Sequence, residues 1–238
     1  MEKSKEQLNY EEFMVQYQDY YEEYMDKYEV FESFYAYGPL SDNYWKFEPK
    51  ILVCNLEPYD EREGNVAVDV NLYKEWIKVN TGKYTAKFIT GLIKTLKQEN
   101  PDESIRFESF SNQELLSYIE NIAYMNFRIS SGLNVPADND GILKDVRTHP
   151  DYLIAQINSL CPDILIIGGE IGCRAYNELF HTALKFNSTT IINDKVICSI
   201  KHFRSADYKY YNEKVNEIIK CFMTTQSAKQ KLILGTSK

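Results

Sequence analysis

The sequence predicts a three-layer αβα fold in which helices cover a central, mostly parallel sheet of about four strands. Two observations carry this prediction. Strand-sized apolar runs alternate along the chain with amphipathic helical segments, which is the pattern of βαβ units. The clearest run, residues 164–169 (ILIIGG), is apolar at every position and ends in two glycines. A strand that is apolar on both faces is typical of the centre of a parallel sheet.

Length and composition predict one domain over residues 1–238, with a helical extension (1–40) and an α/β core (50–222). The chain has 238 residues, of which 44% are hydrophobic and 14% aromatic, and this composition excludes general disorder. No apolar run approaches the length of a membrane span, and the polar, acidic N-terminus does not resemble a secretory signal. We therefore expect a cytoplasmic protein that does not associate with membranes.

The cysteines do not indicate a metal site or an iron–sulfur cluster. No two of them form a CxxC pair, and most lie in apolar runs, where a free cysteine behaves as a small hydrophobic residue. The five are Cys54, Cys161, Cys173, Cys198 and Cys221. We expect them to be reduced and buried, and we expect no metal and no cofactor.

The charge of the chain does not favour nucleic acid as a partner, although it leaves that partner possible. The formal net charge is −8. Residues 1–50 carry 5 lysines against 12 acidic residues, so the rest of the chain is nearly neutral. An acidic protein repels backbone phosphates, and the nearly neutral remainder supplies no basic patch.

Residues 5–35 predict a helix with one aromatic face. Large apolar side chains recur at alternating spacings of four and three, which places them along one stripe. They are Tyr10, Met14, Tyr17, Tyr21, Tyr24, Tyr28, Phe31 and Tyr35. This stripe either packs on the helix's own domain or forms a coiled-coil or partner-binding seam that allows self-association. Tyrosine specifies a coiled coil poorly, because its hydroxyl group needs a partner.

The remaining elements follow in alternation after a predicted turn region at residues 38–43. The predicted strands are 50–55, 122–127, 164–169 and 195–200. The predicted helices are 84–98, a short helix opened by the Ser111/Glu114 capping box and ending near Ile119, 150–160, 170–183 and 208–222. Residues 128–148 predict a long loop, and the polar tail after Thr224 predicts a frayed end.

Residues with chemical or turn-forming potential lie at the end of each predicted strand or directly after it. They are Asn55, Glu57, Pro58 and Tyr59 after the first strand, Asn126 after the second, Gly168 and Gly169 after the third, and His202, Arg204 and Ser205 after the fourth. In open α/β sheets, binding sites form at the carboxyl ends of the strands. We therefore expect these residues to converge on one edge of the sheet.

This order of residues resembles the uracil-DNA glycosylase superfamily. Residues 55–59 (NLEPY) stand in the place of the family's first motif, a strand that runs into a short loop with an acid or amide before proline. Asn126 matches an asparagine at a strand end that reads the edge of the base. Residues 202–205 (HFRS) match the histidine and the nearby serine of the last motif, with Phe203 in place of a proline. The resemblance covers roughly residues 50–222.

The resemblance implies a glycosylase-like hydrolase of the DNA-repair type, which cleaves the N-glycosidic bond to a pyrimidine-type base. It implies that Glu57, held by Pro58, aligns a water molecule and stabilises the sugar cation, and that His202 donates to the departing base. Asn126 would read the base edge, and Tyr59 would stack on the ring or wall it off. The remaining predicted substrate-binding residues are Asn55, Gly168, Arg204 and Ser205, of which Arg204 could hold a phosphate.

Each of these residues also has a structural interpretation. Glu57 could be a solvated acid at a strand end, Asn126 could satisfy backbone groups after its strand, and His202 could be a structural hydrogen-bonding residue. The acidic residues at positions 60, 61 and 63 would repel a DNA backbone beside the predicted site. The alternatives are therefore a binder or hydrolase of a small nucleobase or nucleotide, and a non-catalytic interaction protein on the same scaffold.

Overall fold

The computed structural model describes residues 3–28, 38–56, 74, 77, 80–97, 105–128, 139–203 and 207–235. Within these residues the chain forms seven α-helices and a six-stranded mixed sheet. The predicted α/β class is therefore confirmed. The predicted number of strands is wrong, because the sheet has six strands rather than four.

The strands and helices are numbered in chain order. The strands are β1 Gly38–Pro39, β2 Ile51–Asn55, β3 Ile122–Asn126, β4 Ile164–Gly168, β5 Thr189–Ile192 and β6 Lys195–Ile200. The helices are α1 Lys5–Tyr28, α2 Asn80–Leu96, α3 Asn112–Ile119, α4 Asn139–Thr148, α5 Pro150–Ser159, α6 Gly169–Phe180 and α7 Tyr208–Gly235. Two short 3-10 helices, Asp42–Lys46 and Phe107–Ser109, precede β2 and α3.

The order of strands across the sheet is β1-β3-β2-β4-β6-β5. The four central strands are parallel, and they are the four that the sequence predicts. The edge strands β1 and β5 are antiparallel to their neighbours. Between β5 and β6 the chain reverses through Asn193 and Asp194. Both residues have positive φ (49° and 60°), which is the backbone conformation of a two-residue hairpin turn.

Helices cover both faces of the sheet. Gly172 of α6 lies against Ile167, so α6 packs on the face to which Ile167 points. The next residue, Gly168, faces the opposite way, as alternation along a strand requires. On that opposite side the rings of Phe88 from α2 and Tyr211 from α7 pack around Phe203.

Helix α1 packs on its own domain over the residues whose side chains are described. The ring of Phe13 lies 5.6 Å from that of Tyr152 in α5, and the ring of Tyr10 lies 5.5 Å from that of Trp45. Tyr10 and Met14, the first two residues of the predicted stripe, both pack against the core, which supports the packing interpretation for the first turns of the helix. Residues 29–35, the end of the predicted helix, lie outside the described residues. No described helix is both long and apolar enough to cross a membrane.

Three local predictions are wrong. Residues 139–148, predicted to lie in a loop, form α4, which buries Ile142 and Val146. Arg147 of α4 forms a two-point ion pair with Glu178 of α6, in which both N–O distances are 2.8 Å. The tail after Thr224 continues α7 to Gly235. Cys161 is exposed, whereas Cys54, Cys173 and Cys198 are buried as predicted, and Cys221 is half-buried.

Candidate functional site at the carboxyl edge of the sheet

The carboxyl ends of the four parallel strands form one continuous row. Asn126 at the end of β3 pairs with Asn55 at the end of β2, and Gly168 at the end of β4 pairs with Ile200 at the end of β6. The pairing of β2 with β4 joins the two halves of this row. The register therefore brings Asn55, Asn126 and Gly168 to one edge, as expected, and His202 follows two residues beyond Ile200.

A chain of hydrogen bonds, here called the polar relay, links Asn55, Tyr124 and Asn126. Asn55 Nδ2 donates to Tyr124 Oη over 3.1 Å, and Tyr124 Oη donates to Asn126 Oδ1 over 3.2 Å. All three residues are buried, and each asparagine is only 2% exposed. Burial raises the pKa of the Tyr124 phenol above its ordinary value, more than the hydrogen bond from Asn55 lowers it. The hydroxyl group therefore keeps the proton that it donates to Asn126.

Gly168 makes room for one end of the polar relay. A Cβ atom on Gly168 would overlap Asn55 Oδ1, so the amide oxygen occupies the space of the missing side chain. Among the described residues this buried oxygen accepts no hydrogen bond. Its neighbour is instead the Cα of Gly168, whose C–H groups are weak donors to an oxygen. Only glycine can occupy position 168 while Asn55 keeps this orientation.

Replacing Gly168 by alanine is expected to lower the free energy of unfolding by about 1–3 kcal/mol, because the new methyl group overpacks against Asn55. The measurement is urea unfolding of the wild type, Gly168→Ala, Asn55→Ala and the double variant. With Asn55 shortened, the methyl group has space, so the cost of Gly168→Ala should largely disappear. Equal costs in both backgrounds would show that the two residues do not interact.

His202 stands on an anchored segment beyond β6. Its side chain is half-buried, and the next residue, Phe203, is fully buried beside Gly168. On the other side the backbone N–H of Lys201 donates to Tyr210 Oη over 2.8 Å. These contacts hold both neighbours of His202, so the imidazole projects from a fixed point at the edge of the sheet.

The sheet sets the distance between the two ends of the candidate site. Strands in a sheet lie about 4.8 Å apart, so the three intervals from β3 to β6 place Asn126 roughly 14 Å from the end of β6 at the backbone. Among the described residues, no acceptor takes the Nδ2 hydrogens of Asn126.

No protein-family model matches this chain, and no curated protein matches its sequence. The resemblance to the uracil-DNA glycosylase superfamily therefore depends on the residues at the strand ends. Of the predicted site residues, the structure describes Asn55, Asn126, Gly168 and His202. Glu57, Pro58, Tyr59, Arg204 and Ser205 lie outside the described residues, as do the acidic positions 60, 61 and 63.

The described residues do not favour a cysteine nucleophile at this edge, and they do not favour a metal site. Burial raises the pKa of the Cys54 thiol, which directly precedes Asn55, so the thiol stays protonated and is a poor nucleophile. The described part of the chain contains no cluster of histidine, cysteine, aspartate and glutamate that could hold a metal ion.

Tyr124 is a member of the candidate site that sequence analysis missed. It lies inside an apolar run, where a tyrosine looks like an ordinary core residue. The available signal is its spacing, because residues two apart on a strand point to the same face. A tyrosine two positions before a strand-end asparagine can therefore bond its side chain.

Proposed function

We propose that the carboxyl edge of the sheet binds a pyrimidine-type nucleobase and that the protein hydrolyses the N-glycosidic bond to it. One observation carries the proposal. The polar relay holds the Asn126 amide by its oxygen, which leaves the amide nitrogen to donate to a ligand. An amide held in this way at a strand end is suited to recognise the hydrogen-bonding edge of a planar base.

The two proposed catalytic groups come from segments that follow β2 and β6, which both lie on the same side of β3 in the sheet. Glu57 follows β2 by two residues and supplies the carboxylate that aligns water and stabilises the positive charge developing on the sugar. His202 follows β6 and donates a hydrogen bond to the base, which leaves with negative charge. In the sheet, β2 and β6 are separated only by β4, so both proposed groups follow strands close to one another.

The direct test is release of free base from a uracil-containing oligonucleotide, single-stranded and double-stranded, measured by chromatography. Release by the wild type that exceeds release by a Glu57→Gln variant would support the proposal. Absence of release from both oligonucleotides would contradict the DNA form of the proposal.

A second candidate is a hydrolase or binder of a free nucleobase, nucleoside or nucleotide. The charge of the chain favours it, since the net charge is −8 and acidic residues follow Glu57 at positions 60, 61 and 63. A thermal-shift screen with free bases, nucleosides and nucleotides separates the two candidates. Stabilisation by small ligands without oligonucleotide cleavage would favour the second candidate, and a flat response would contradict it.

A further inference from the structure

We infer that one lysine and three tyrosines between α2 and α7 form a binding site for a terminal phosphate group, that of a pyrimidine nucleoside monophosphate. The side chains are Tyr84 and Lys87 of α2 and Tyr208 and Tyr211 of α7, which we call the lysine–tyrosine cluster. The assignment of the phosphate to a nucleotide rests on the proposed function, because the cluster lies beside the same nucleobase site.

Lys87 is a buried cation without a carboxylate partner among the described residues. It is 7% exposed, and its ammonium group donates to Tyr208 Oη over 2.8 Å. The other lysines that are buried in the described part of the chain, Lys50 and Lys214, each pair with a glutamate. A buried charge is costly unless an opposite charge compensates it. Lys87 is therefore a cation that an anionic ligand would neutralise.

Tyr211 supplies a hydrogen-bond donor that also needs a partner. Its side chain is 2% exposed, and its buried hydroxyl oxygen forms no hydrogen bond within the described residues. Burial raises the pKa of Tyr211 above its ordinary value, and nearby tyrosines, Tyr84 and Tyr208 among them, raise it further. The hydroxyl group therefore keeps its proton, and a buried donor without an acceptor is costly. An oxygen atom of a bound anion would accept this hydrogen.

The side chains of the cluster are held together across the two helices. Tyr84 and Lys87 are three residues apart on α2, so they share a face of that helix. Tyr208 and Tyr211 have the same spacing on α7, and both rings contact Phe107, at centroid distances of 5.5 and 5.6 Å. Because Tyr208 Oη accepts from Lys87, its own proton stays available. The cluster thus offers an ammonium group and phenol hydroxyl groups, which are donors that suit phosphate oxygens.

The cluster lies next to the candidate functional site. Phe203, which directly follows His202, packs its ring against those of Phe88 and Tyr211, at centroid distances of 5.8 and 6.5 Å. The same ring lies beside Gly168 at the end of β4. Phe203 therefore contacts the two helices of the cluster and the carboxyl edge of the sheet. A nucleotide can reach both places, because its sugar separates the base from the phosphate.

The burial of Lys87 selects the kind of phosphate. A phosphate inside a nucleic-acid strand carries a sugar on both sides, so it binds cations at the surface, whereas a terminal phosphate can enter a buried site. The net charge of −8 also disfavours a strand. Asp207 stands next to the cluster, but it is exposed, and its carboxylate accepts from the backbone N–H of Tyr210. The cluster therefore favours a nucleotide, which is one form of the second candidate function.

The first test compares two lysine variants by calorimetric titration with inorganic phosphate at constant ionic strength. Lys87→Met keeps most of the length of the side chain and removes a buried charge, so it should fold. We expect its phosphate affinity to fall by roughly 10–100-fold relative to the wild type, the usual effect of losing a hydrogen bond to a charged group. Lys94→Met is the matched control, because Lys94 lies on the same helix and pairs with Glu114 over 2.7 Å. It should keep the wild-type affinity, and equal affinities in the two variants would overturn the inference.

Tyr211→Phe keeps the inference falsifiable if Lys87→Met does not fold. It removes only the buried hydroxyl group and keeps the ring, so the stability in phosphate-free buffer should not fall. The phosphate affinity should fall by about tenfold, because the anion loses one donor. An unchanged affinity in this folded variant would overturn the assignment of the cluster as a phosphate site.

Uridine and uridine monophosphate separate this inference from the proposed function. We expect the monophosphate to bind the wild type about tenfold or more tightly than uridine, and this difference to disappear in Lys87→Met. If uridine binds and the phosphate adds no affinity, the inference is overturned while nucleobase binding stands. If phosphate binding depends on Lys87 but neither uridine nor uracil binds, the proposed function is overturned while the phosphate site stands. If an oligonucleotide without a terminal phosphate gains as much affinity from Lys87 as the monophosphate does, the choice of a terminal phosphate is overturned.

Discussion

Replacing His202 by alanine is expected to lower the rate of base release by about 10²–10³-fold, the usual effect of removing one donor that stabilises a developing anion. The loss should appear in kcat rather than in KM, because the donor acts on charge that develops as the bond breaks. Single-turnover release from a saturating substrate measures this directly. A matched control is His181→Asn, since His181 is exposed at the end of α6 with a φ of 51° that asparagine tolerates.

Glu57→Gln tests the second proposed catalytic residue, the carboxylate of Glu57. It keeps the size of the side chain but removes the negative charge, so release is expected to fall by about 10²–10⁴-fold. If the two residues act on opposite ends of the same bond, the double variant should lose less than the product of the single losses, because catalytic groups that act as a unit are not additive. Unchanged release in either single variant would remove that residue from the proposed mechanism.

The central sheet was predictable because its strands carry a strong signal. Each is a short apolar run, and β2, β3 and β4 are buried at every position, so periodicity and burial agree. The edge strands were not predictable in the same way. β1 is a Gly-Pro pair, whose residue types predict a turn, and only its pairing with β3 makes it a strand. In β5 every residue is at least partly exposed, so no apolar run identifies it.

One helix and the end of another were missed because tertiary contacts override local composition. Residues 139–148 contain Asn, Asp and Gly, which are poor helix formers, yet the apolar side chains of α4 are buried and Arg147 is paired with Glu178. The polar end of α7 remains helical beyond Thr224. Thr225 is buried there, and its hydroxyl group bonds the carbonyl of Phe222.

The candidate site was predictable as a set of strand ends but not as a network. The carboxyl-end rule identified Asn55, Asn126, Gly168 and His202 without knowledge of which strands are neighbours. The polar relay depends on the adjacency of β2 and β3, which the sequence does not specify. The role of Gly168 likewise depends on a contact with Asn55 on the neighbouring strand, whereas the sequence predicted Gly168 as a turn residue that binds substrate.

Phe203 is the residue on which the stability of this edge should depend most strongly. Its side chain is 0% exposed, and its ring centroid lies 5.8 Å from that of Phe88 and 6.5 Å from that of Tyr211. Phe203→Ala is expected to lower the free energy of unfolding by about 3–5 kcal/mol, because it removes buried apolar surface and leaves a cavity. Phe186→Ala is a matched control, since Phe186 is 41% exposed and should cost far less. Urea unfolding of both variants makes the comparison.

Phe203 also connects stability to the proposed chemistry. In the superfamily that the chain resembles, a proline follows the histidine and fixes the backbone through its ring. Here the burial of Phe203 between Gly168 and Phe88 fixes the backbone instead.

Phe203→Leu keeps most of the apolar volume, so it should fold, yet it loses the ring contacts that hold His202 in place. We expect Phe203→Leu to lower kcat for base release while the folded fraction stays close to that of the wild type. An unchanged kcat in this folded variant would show that His202 is positioned by other contacts.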